Sequence, residues 1–507
     1  MPPSSIRPVH PSPAPPIRAI PARRGAILLA TALAAFLAYP GSSGAQQSSA
    51  AVASESAFPS DSAVLAILKE RVGSGRSAGL VVGMLEPDGR TRIVAWGDPG
   101  PGQAPMDGQS VFEIGSITKV FTATVLADMA LRGEVSLDDP VQRYLPPGVT
   151  MPTRNGKEIT LGLLSEQRSG LPRLPTNLAP TDMSNPYADY TDQQLYDFLS
   201  GYELPRDPGA EFEYSNLGVG LLGHVLALHA GTSYEALVKE RILEPLDMSH
   251  SAVTFTPWML EHLALGHNAG GDVVSNWDAP TLAGAGALRS TAEDMLTFLD
   301  ANLHPERGPL QEAMAFAQVE RAPVGQPDRA IGLNWMSLHT GADTIVWHNG
   351  GTGGYRTFSG IIPSKKIGVV VLTNTGGTGA DDIGLHLLRP ELPLTPPPEP
   401  RETFTAIELG AEVMADYVGT YRLRPGFDMV VTLEDGQLVA QATNQGKTSL
   451  RPYTEVDFYV LELEAQFTFQ KDSDGTVTGL VLHQGGRDFP AEKVGDMEQV
   501  DAGLHSR

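Results

Sequence analysis

Ser116 and Lys119 stand three residues apart in Phe112-Glu113-Ile114-Gly115-Ser116-Ile117-Thr118-Lys119-Val120-Phe121. At the start of a helix that spacing puts both side chains on one face, where the amine touches the hydroxyl. A serine hydroxyl is a weak nucleophile until a base takes its proton, and a lysine is a base only when neutral. Val120, Phe121, Val125 and Leu126 flank the amine, and desolvation among them would pull its pKa down toward a useful value. The same letters also suit a serine N-cap followed by a solvated lysine. A second element, Tyr214-Ser215-Asn216, lies at the entry of a helix expected from Leu217, where loop residues can project into a cleft. Ordinary capping by Ser215 or Asn216 is the alternative there. A third, His348-Asn349-Gly350-Gly351-Thr352-Gly353-Gly354-Tyr355, ends a predicted strand. Its glycines let a substrate come close to the backbone edge, and a glycine-rich hairpin with a surface histidine is the other reading.

These three segments need elements to carry them. Gly79–Leu85 and Arg92–Trp96 flank Pro87-Asp88-Gly89 and read as a β-hairpin. From Ser116 to about Phe316 the spacing turns helical, with segments over Ser116–Leu131, Leu217–His229 and Ser233–Ile242. Gly133 and Gly231 stand where a helix end calls for a left-handed residue. Ser290-Thr291-Ala292-Glu293 has the form of a capping box opening a further helix. Strand patterns return at Ala330–Leu338, Thr344–Trp347, Thr357–Ile362 and Ile367–Leu372. Strands, then helices, then strands imply one sheet assembled from both ends, with the helical part inserted and a cleft where the two meet.

The run from Arg389 to Pro400 holds six prolines and can sustain neither a helix nor a sheet ladder, so it reads as a stiff spacer. Beyond it, Tyr417–Tyr421, Met429–Leu433, Leu438–Ala442, Phe458–Leu463, Phe467–Gln470 and Val477–His483 are short strands, with turns at Asp435-Gly436 and Asp474-Gly475. The expected class is α+β: an antiparallel sheet flanked by helices with a large helical insertion, plus a small C-terminal antiparallel β-barrel-like domain. The expected divisions are a catalytic domain over 56–388, a proline-rich linker over 389–402 and the β-domain over 405–497.

Composition narrows the function. The formal charge is −23, and because residues 1–45 hold Arg7, Arg18, Arg23 and Arg24 but no acid, the remainder carries −27. Such a chain repels phosphate backbones, which argues against nucleic-acid binding. With no cysteine it has no disulfide, thiolate nucleophile or zinc-thiolate site. There is no His-Glu-x-x-His, and His224 and His229 sit off one helical face, so no metal and no cofactor is expected. Gly25–Tyr39 is apolar, follows Arg23-Arg24 and precedes Ser43-Gly44-Ala45, the pattern of a signal peptide over residues 1–45 cleaved near Ala45. It is shorter than the roughly 20 residues that span a bilayer. An exported protein, periplasmic or extracellular, with no stable membrane span after cleavage is expected. The Sec and twin-arginine routes both stay open.

Taken together and in this order, the three elements resemble the active-site signature of the serine penicillin-recognising enzymes, in the branch of class C β-lactamases, DD-carboxypeptidase-type penicillin-binding proteins and related esterases. Leu137-Asp138-Asp139-Pro140-Val141, Tyr144-Leu145-Pro146, Ser169-Gly170-Leu171-Pro172 and Gly286-Ala287-Leu288-Arg289-Ser290-Thr291 add to the likeness, which covers roughly Ser56 to Leu388. The β-domain resembles the lipocalin-like appendage of several members. The resemblance implies Ser116 as nucleophile, Lys119 as its activating partner and Tyr214 as a second base whose phenolate Lys119 would stabilise, the two titrating as a coupled pair. It implies substrate contacts from Asn216, His348, Gly350 and Gly351, and an oxyanion hole from the backbone N–H groups of Ser116 and Gly351. His348 stands where class C β-lactamases usually carry lysine, so a substrate carboxylate would meet a group only partly charged near neutral pH. Glu166-Gln167-Arg168 replaces the usual His-Thr lead into Ser169. The implied activity is an exported serine acyl hydrolase acting on β-lactams or D-Ala-D-Ala type peptides. A carboxylesterase on small esters and a slow-turnover penicillin sensor are the alternatives. The implied partner is a small-molecule or peptide substrate, and the protein a monomer or small homo-oligomer.

Overall fold

A computed structural model describes residues 56–377, 379–397, 406–424, 427–434, 436–443, 446–460, 465–484 and 487–495. The expected signal peptide, the end of the linker, Asp435 of one expected turn and Leu461–Leu463 of one expected strand lie outside the described residues.

The sheet does come from both ends. Strands β1 (Gly79–Leu85) and β2 (Thr91–Gly97) form the hairpin. After the two-residue strands β3 (Phe112–Glu113) and β4 (Arg289–Ser290) come β5 (Ala322–Pro323), β6 (Arg329–Ile331), β7 (Met336–Thr340), β8 (Asp343–Gly351), β9 (Arg356–Ile362) and β10 (Ile367–Thr373). The order is β2-β1-β10-β9-β8-β7-β6-β5, all antiparallel, with Leu80 opposite Thr373 and Leu85 opposite Gly368 where the two ends join. Helices cover both faces. Leu80, Val82, Met84, Val369 and Val371 face a core with α1 (Asp61–Gly73), while Val81, Leu85, Val370 and Leu372 face the larger core of the insertion. A strand covered on both sides has no solvent face to fill with polar residues, hence the unbroken apolar runs of β1 and β10.

The insertion supplies α2 (Thr118–Leu131), α3 (Leu161–Ser165), α4 (Asp192–Gly201), α5 (Asn216–Ala230), α6 (Tyr234–Val238), α7 (Pro257–Glu261), α8 (Ala292–Asn302) and α9 (Pro309–Gln318), and α10 (Asp381–Leu388) follows the sheet. Every residue of α2 from Thr118 to Met129 is buried, the mark of a core helix rather than a surface one. Between α2 and α5 runs the short turn Ala283–Ala285. A Cβ on Gly223 of α5 would lie 2.9 Å from the Gly284 Cα, so glycine alone lets the turn press in so closely. Thr122 donates to the Gly284 carbonyl at 2.8 Å and fixes it there.

Two local expectations are corrected. Ala330–Leu338 is not one strand but β6 and β7, because Asn334 takes a left-handed φ of 56° and turns the chain. The helix after β4 is capped by Thr291, which accepts from the Asp294 N–H, and not by a box from Ser290.

After α11 (Ala411–Ala415), eight strands form a closed antiparallel barrel: β11 (Gly419–Arg424), β12 (Phe427–Glu434), β13 (Gln437–Ala442), β14 (Lys447–Pro452), β15 (Asp457–Val460), β16 (Ala465–Lys471), β17 (Val477–Gln484) and β18 (Arg487–Gly495). β18 pairs back onto β11, with Tyr421 opposite Lys493, and Tyr417, Tyr421, Phe458, Phe467 and Phe469 help fill the core.

Candidate active site

Ser116 sits on a 3-10 turn, Gly115–Ile117, that runs into α2 and leaves the residue half-buried at a cleft lined also by Tyr187, Asn216, Trp277 and Gly351. Lys119, one turn on, has 0% of its surface exposed. Its Nζ is 2.9 Å from Ser116 Oγ and donates to the Ala285 carbonyl at 2.6 Å. The burial of α2 holds the amine pKa well below its ordinary value, and the charge of Arg173 pushes the same way. A neutral amine with one N–H tied to Ala285 can offer its lone pair to the serine proton.

The strand edge reaches Ser116 through close backbone contact. A Cβ on Gly350 would fall 2.0 Å from the Ile114 carbonyl oxygen, and one on Gly115, itself at φ 51°, would fall 2.6 Å from the Gly351 nitrogen. Thr357, opposite Gly350 in the sheet, donates to Ile114 O at 2.9 Å. Gly351 and Ser116 thereby line the same cleft.

Tyr214 stands over both. Lys119 Nζ is 5.0 Å from its ring centroid, and the His348 ring centroid is 6.3 Å away. Burial pushes the phenol up to about 12, with Ser116 and Arg173 offsetting part of the rise. The expected phenolate is therefore corrected: burial works against it, and Tyr214 keeps its proton at neutral pH. His348 requires a second correction. It lies inside β8, 3% exposed, with Nδ1 bonded to the Asn349 carbonyl at 2.6 Å. Burial, reinforced by Lys119, depresses its pKa to about 3. The imidazole is neutral, presents Nε2 as an acceptor and supplies no cation.

Ser215 is the N-cap of α5, accepting from Gly218 N–H at 2.8 Å and donating to Pro172 O at 2.6 Å. Asn216, the next residue, lines the cleft, and its buried Oδ1 has no partner among the described residues. That atom can accept an amide N–H from a substrate.

Several residues of the site were not singled out from the sequence. Gln167, buried at a left-handed φ of 59°, accepts from Ser215 N–H at 2.6 Å and donates to Asn334 Oδ1 at 3.0 Å, tying the Tyr214 segment to the turn between β6 and β7. Its place in the unusual Glu166-Gln167-Arg168 lead was the available signal. Tyr187 and Trp277, ring centroids 5.5 Å apart, form the apolar wall. The Trp277 backbone N–H donates to buried Glu113 at 2.7 Å, and Glu113 lies 3.6 Å from buried Arg289. Among the described residues no group of three or more His, Asp or Glu side chains could hold a metal ion.

The chain matches the Beta-lactamase family model over residues 64–392, and residues 405–497 match a domain of unknown function, DUF3471. The D-alanyl-D-alanine-carboxypeptidase/endopeptidase AmpH of Escherichia coli (strain K12) is 32% identical over 321 residues, 59% of this chain and 80% of that protein. A beta-lactamase of Pseudomonas fluorescens is 25% identical over 338 residues, covering 60% and 91%. A solved class C beta-lactamase superposes with a TM-score of 0.54 at 22% identity, covering 63% of this chain and 92% of that one, a likeness of fold.

Proposed function

Because the chain belongs to the Beta-lactamase family, and is thereby a serine hydrolase, we propose that it is exported, forms an acyl-enzyme on Ser116 and cleaves β-lactams or D-Ala-D-Ala type peptides. The observation that carries the reading is the pairing, at 2.9 Å, of Ser116 Oγ with a fully buried Lys119 amine whose pKa burial holds well below its ordinary value. Attack by Oγ on the substrate carbonyl passes the serine proton to Lys119 Nζ. The N–H groups of Ser116 and Gly351 take the negative charge that forms on the carbonyl oxygen, and one such donor is typically worth about 3 kcal/mol. When the C–N bond breaks, Tyr214 gives its proton to the departing nitrogen and recovers one from the Lys119 ammonium. Water then enters by the same route and frees the serine.

The proposal takes residues 1–45 as the export signal, 56–388 as the catalytic domain, 389–402 as the linker and 405–497 as a separate β-domain. No helix among the described residues is long and apolar enough to cross a membrane. A carboxylesterase is the second reading, favoured by one observation: His348 offers a neutral acceptor where a permanent cation would hold a carboxylate. Intact-protein mass spectrometry after incubation with a penicillin, a p-nitrophenyl ester and a D-Ala-D-Ala peptide separates the two. A transient adduct from penicillin or peptide, absent in Ser116→Ala, supports the first reading. An adduct from the ester alone supports the second, a penicillin adduct that persists indicates a sensor, and intact labelling of Ser116→Ala rejects the site.

A further inference from the structure

Arg173 follows Ser169-Gly170-Leu171-Pro172 and is exposed. Its backbone carbonyl accepts from the N–H groups of Asn216 at 3.0 Å and Leu217 at 3.2 Å, which pins the residue to the start of α5. Its guanidinium lies 5.2 Å from the Tyr214 ring centroid. Among the described residues that guanidinium makes neither an ion pair nor a hydrogen bond. Arg356, beside Gly351, donates instead to the carbonyls of Thr352 and Tyr355, at 2.8 and 2.9 Å. Arg173 is thus a cation held beside the nucleophile with its donors uncommitted.

Its position says which part of a substrate it would meet. The leaving group departs toward Tyr214, which faces His348. The acyl half, which stays on Ser116, is left to the wall made by Asn216, Tyr187 and Trp277. Arg173 is bonded through its backbone to Asn216, which lines that wall, and its charge reaches Tyr187 of the same wall as well as Tyr214 and Lys119. It therefore belongs to the acyl side. A guanidinium resting on an aromatic ring presents a planar fork that fits a carboxylate with two parallel hydrogen bonds. In a chain of net charge −23 a fixed cation at this place also offsets the general repulsion of an anionic substrate.

We propose that Arg173 is a specificity-determining residue that binds a carboxylate carried on the acyl half of the substrate, so that the preferred substrate is an acyl donor with an acidic side group, such as a peptide bearing a free carboxylate upstream of the scissile bond. This rests on the hydrolase reading above.

Two substrate pairs test it, each sharing one leaving group and differing by a carboxylate on the acyl side: carbenicillin against penicillin G, and mono-p-nitrophenyl glutarate against p-nitrophenyl butyrate. The full chain is compared with Arg173→Gln and Arg173→Lys. The inference expects R173Q to lower kcat/KM for the carboxylate-bearing member about tenfold, mainly through KM, which is about 1.4 kcal/mol. What is read is the ratio of the two members, which should fall about tenfold in R173Q, and R173K should recover part of that loss. Any effect of the lost charge on Lys119 reaches both members of a pair alike and cancels in their ratio. An unchanged ratio in R173Q overturns the inference while leaving the hydrolase reading intact. Turnover of esters without penicillins overturns the β-lactam reading, and the ester pair still decides Arg173. If neither pair acylates Ser116 in the unmodified chain, both are overturned.

Discussion

Replacing His348 with asparagine isolates the energetic consequence of burying that ring. In the folded chain the imidazole stays neutral down to about pH 3, whereas in the unfolded chain it titrates near 6.5. Between those values the unfolded chain holds a proton that the folded chain does not. Stability therefore falls as pH drops through 6.5 and continues to fall until about 3. At pH 4.5 this one residue accounts for about 3 kcal/mol of loss, two pH units at a little over 1 kcal/mol each. His348→Asn has no titrating group at the position and escapes that loss. All five tryptophans, Trp96, Trp258, Trp277, Trp335 and Trp347, precede the proline-rich run, so their fluorescence follows the catalytic part alone. Urea titrations at pH 7.5 and 4.5 supply the comparison. With a slope of about 3 kcal/mol per molar urea, the unmodified midpoint should fall by roughly 1 M more than that of the variant. Only the change between the two pH values is read, so any general weakening of the variant drops out. Parallel losses in the two proteins would refute the burial argument and restore a histidine that titrates near neutrality.

The depressed lysine and the raised tyrosine together predict a one-sided pH profile. kcat/KM should climb as pH rises through the Lys119 pKa and then stay level to about pH 10, since Tyr214 holds its proton up to about 12; a descending limb between pH 8 and 9 would count against a protonated tyrosine. Gly350→Ala forces a Cβ into the Ile114 carbonyl and moves the strand edge away from Ser116, so kcat should fall on the order of 100-fold or more with the fold retained by circular dichroism. Gln167→Leu strands the Ser215 N–H, which should reduce stability by about 1–3 kcal/mol and reduce kcat as well because Tyr214 is next to it; a lower melting temperature with unchanged kcat would show that Gln167 supports the fold without positioning the tyrosine.

What the sequence made legible is what repeats locally. The apolar runs of β1 and β10, the left-handed Gly231 at the end of α5 and the contrast of strand and helix periods were enough to build the sheet from both ends. Two of the eight barrel strands do not show in the sequence because β14 (KTSLRP) and β18 (RDFPAEKVG) are charged and contain proline. They pair because a barrel has to close, a condition imposed by the neighbouring strands and not by the letters themselves. Ser116 and Lys119 were legible because i, i+3 spacing is a local geometry. The charge state of His348 was not, since it depends on β8 continuing as far as Gly351 in the middle of a sheet. Arg173 was not either: a single arginine after Ser-Gly-Leu-Pro looks like any surface cation until Asn216 and Tyr214 are seen beside it.

The site is held mainly by main-chain atoms, and this bears on which of its side chains can vary. The Ala285 carbonyl orients Lys119, the Ile114 carbonyl meets Thr357 at the strand edge, and the Arg173 carbonyl caps α5 at Asn216. None of these depends on the side chain of the residue that supplies the carbonyl. The Arg173 side chain can therefore change without loosening the scaffold, because the backbone does the holding. His348 has no such freedom. Its ring is enclosed beside Lys119 and Tyr214 and satisfied by the Asn349 carbonyl. A lysine in that slot would bring an ammonium toward an amine that works only when neutral, unless water or a counter-charge entered with it. In this chain a cation for substrate recognition is thus more easily carried on the exposed acyl side than on the buried strand, which is where Arg173 stands.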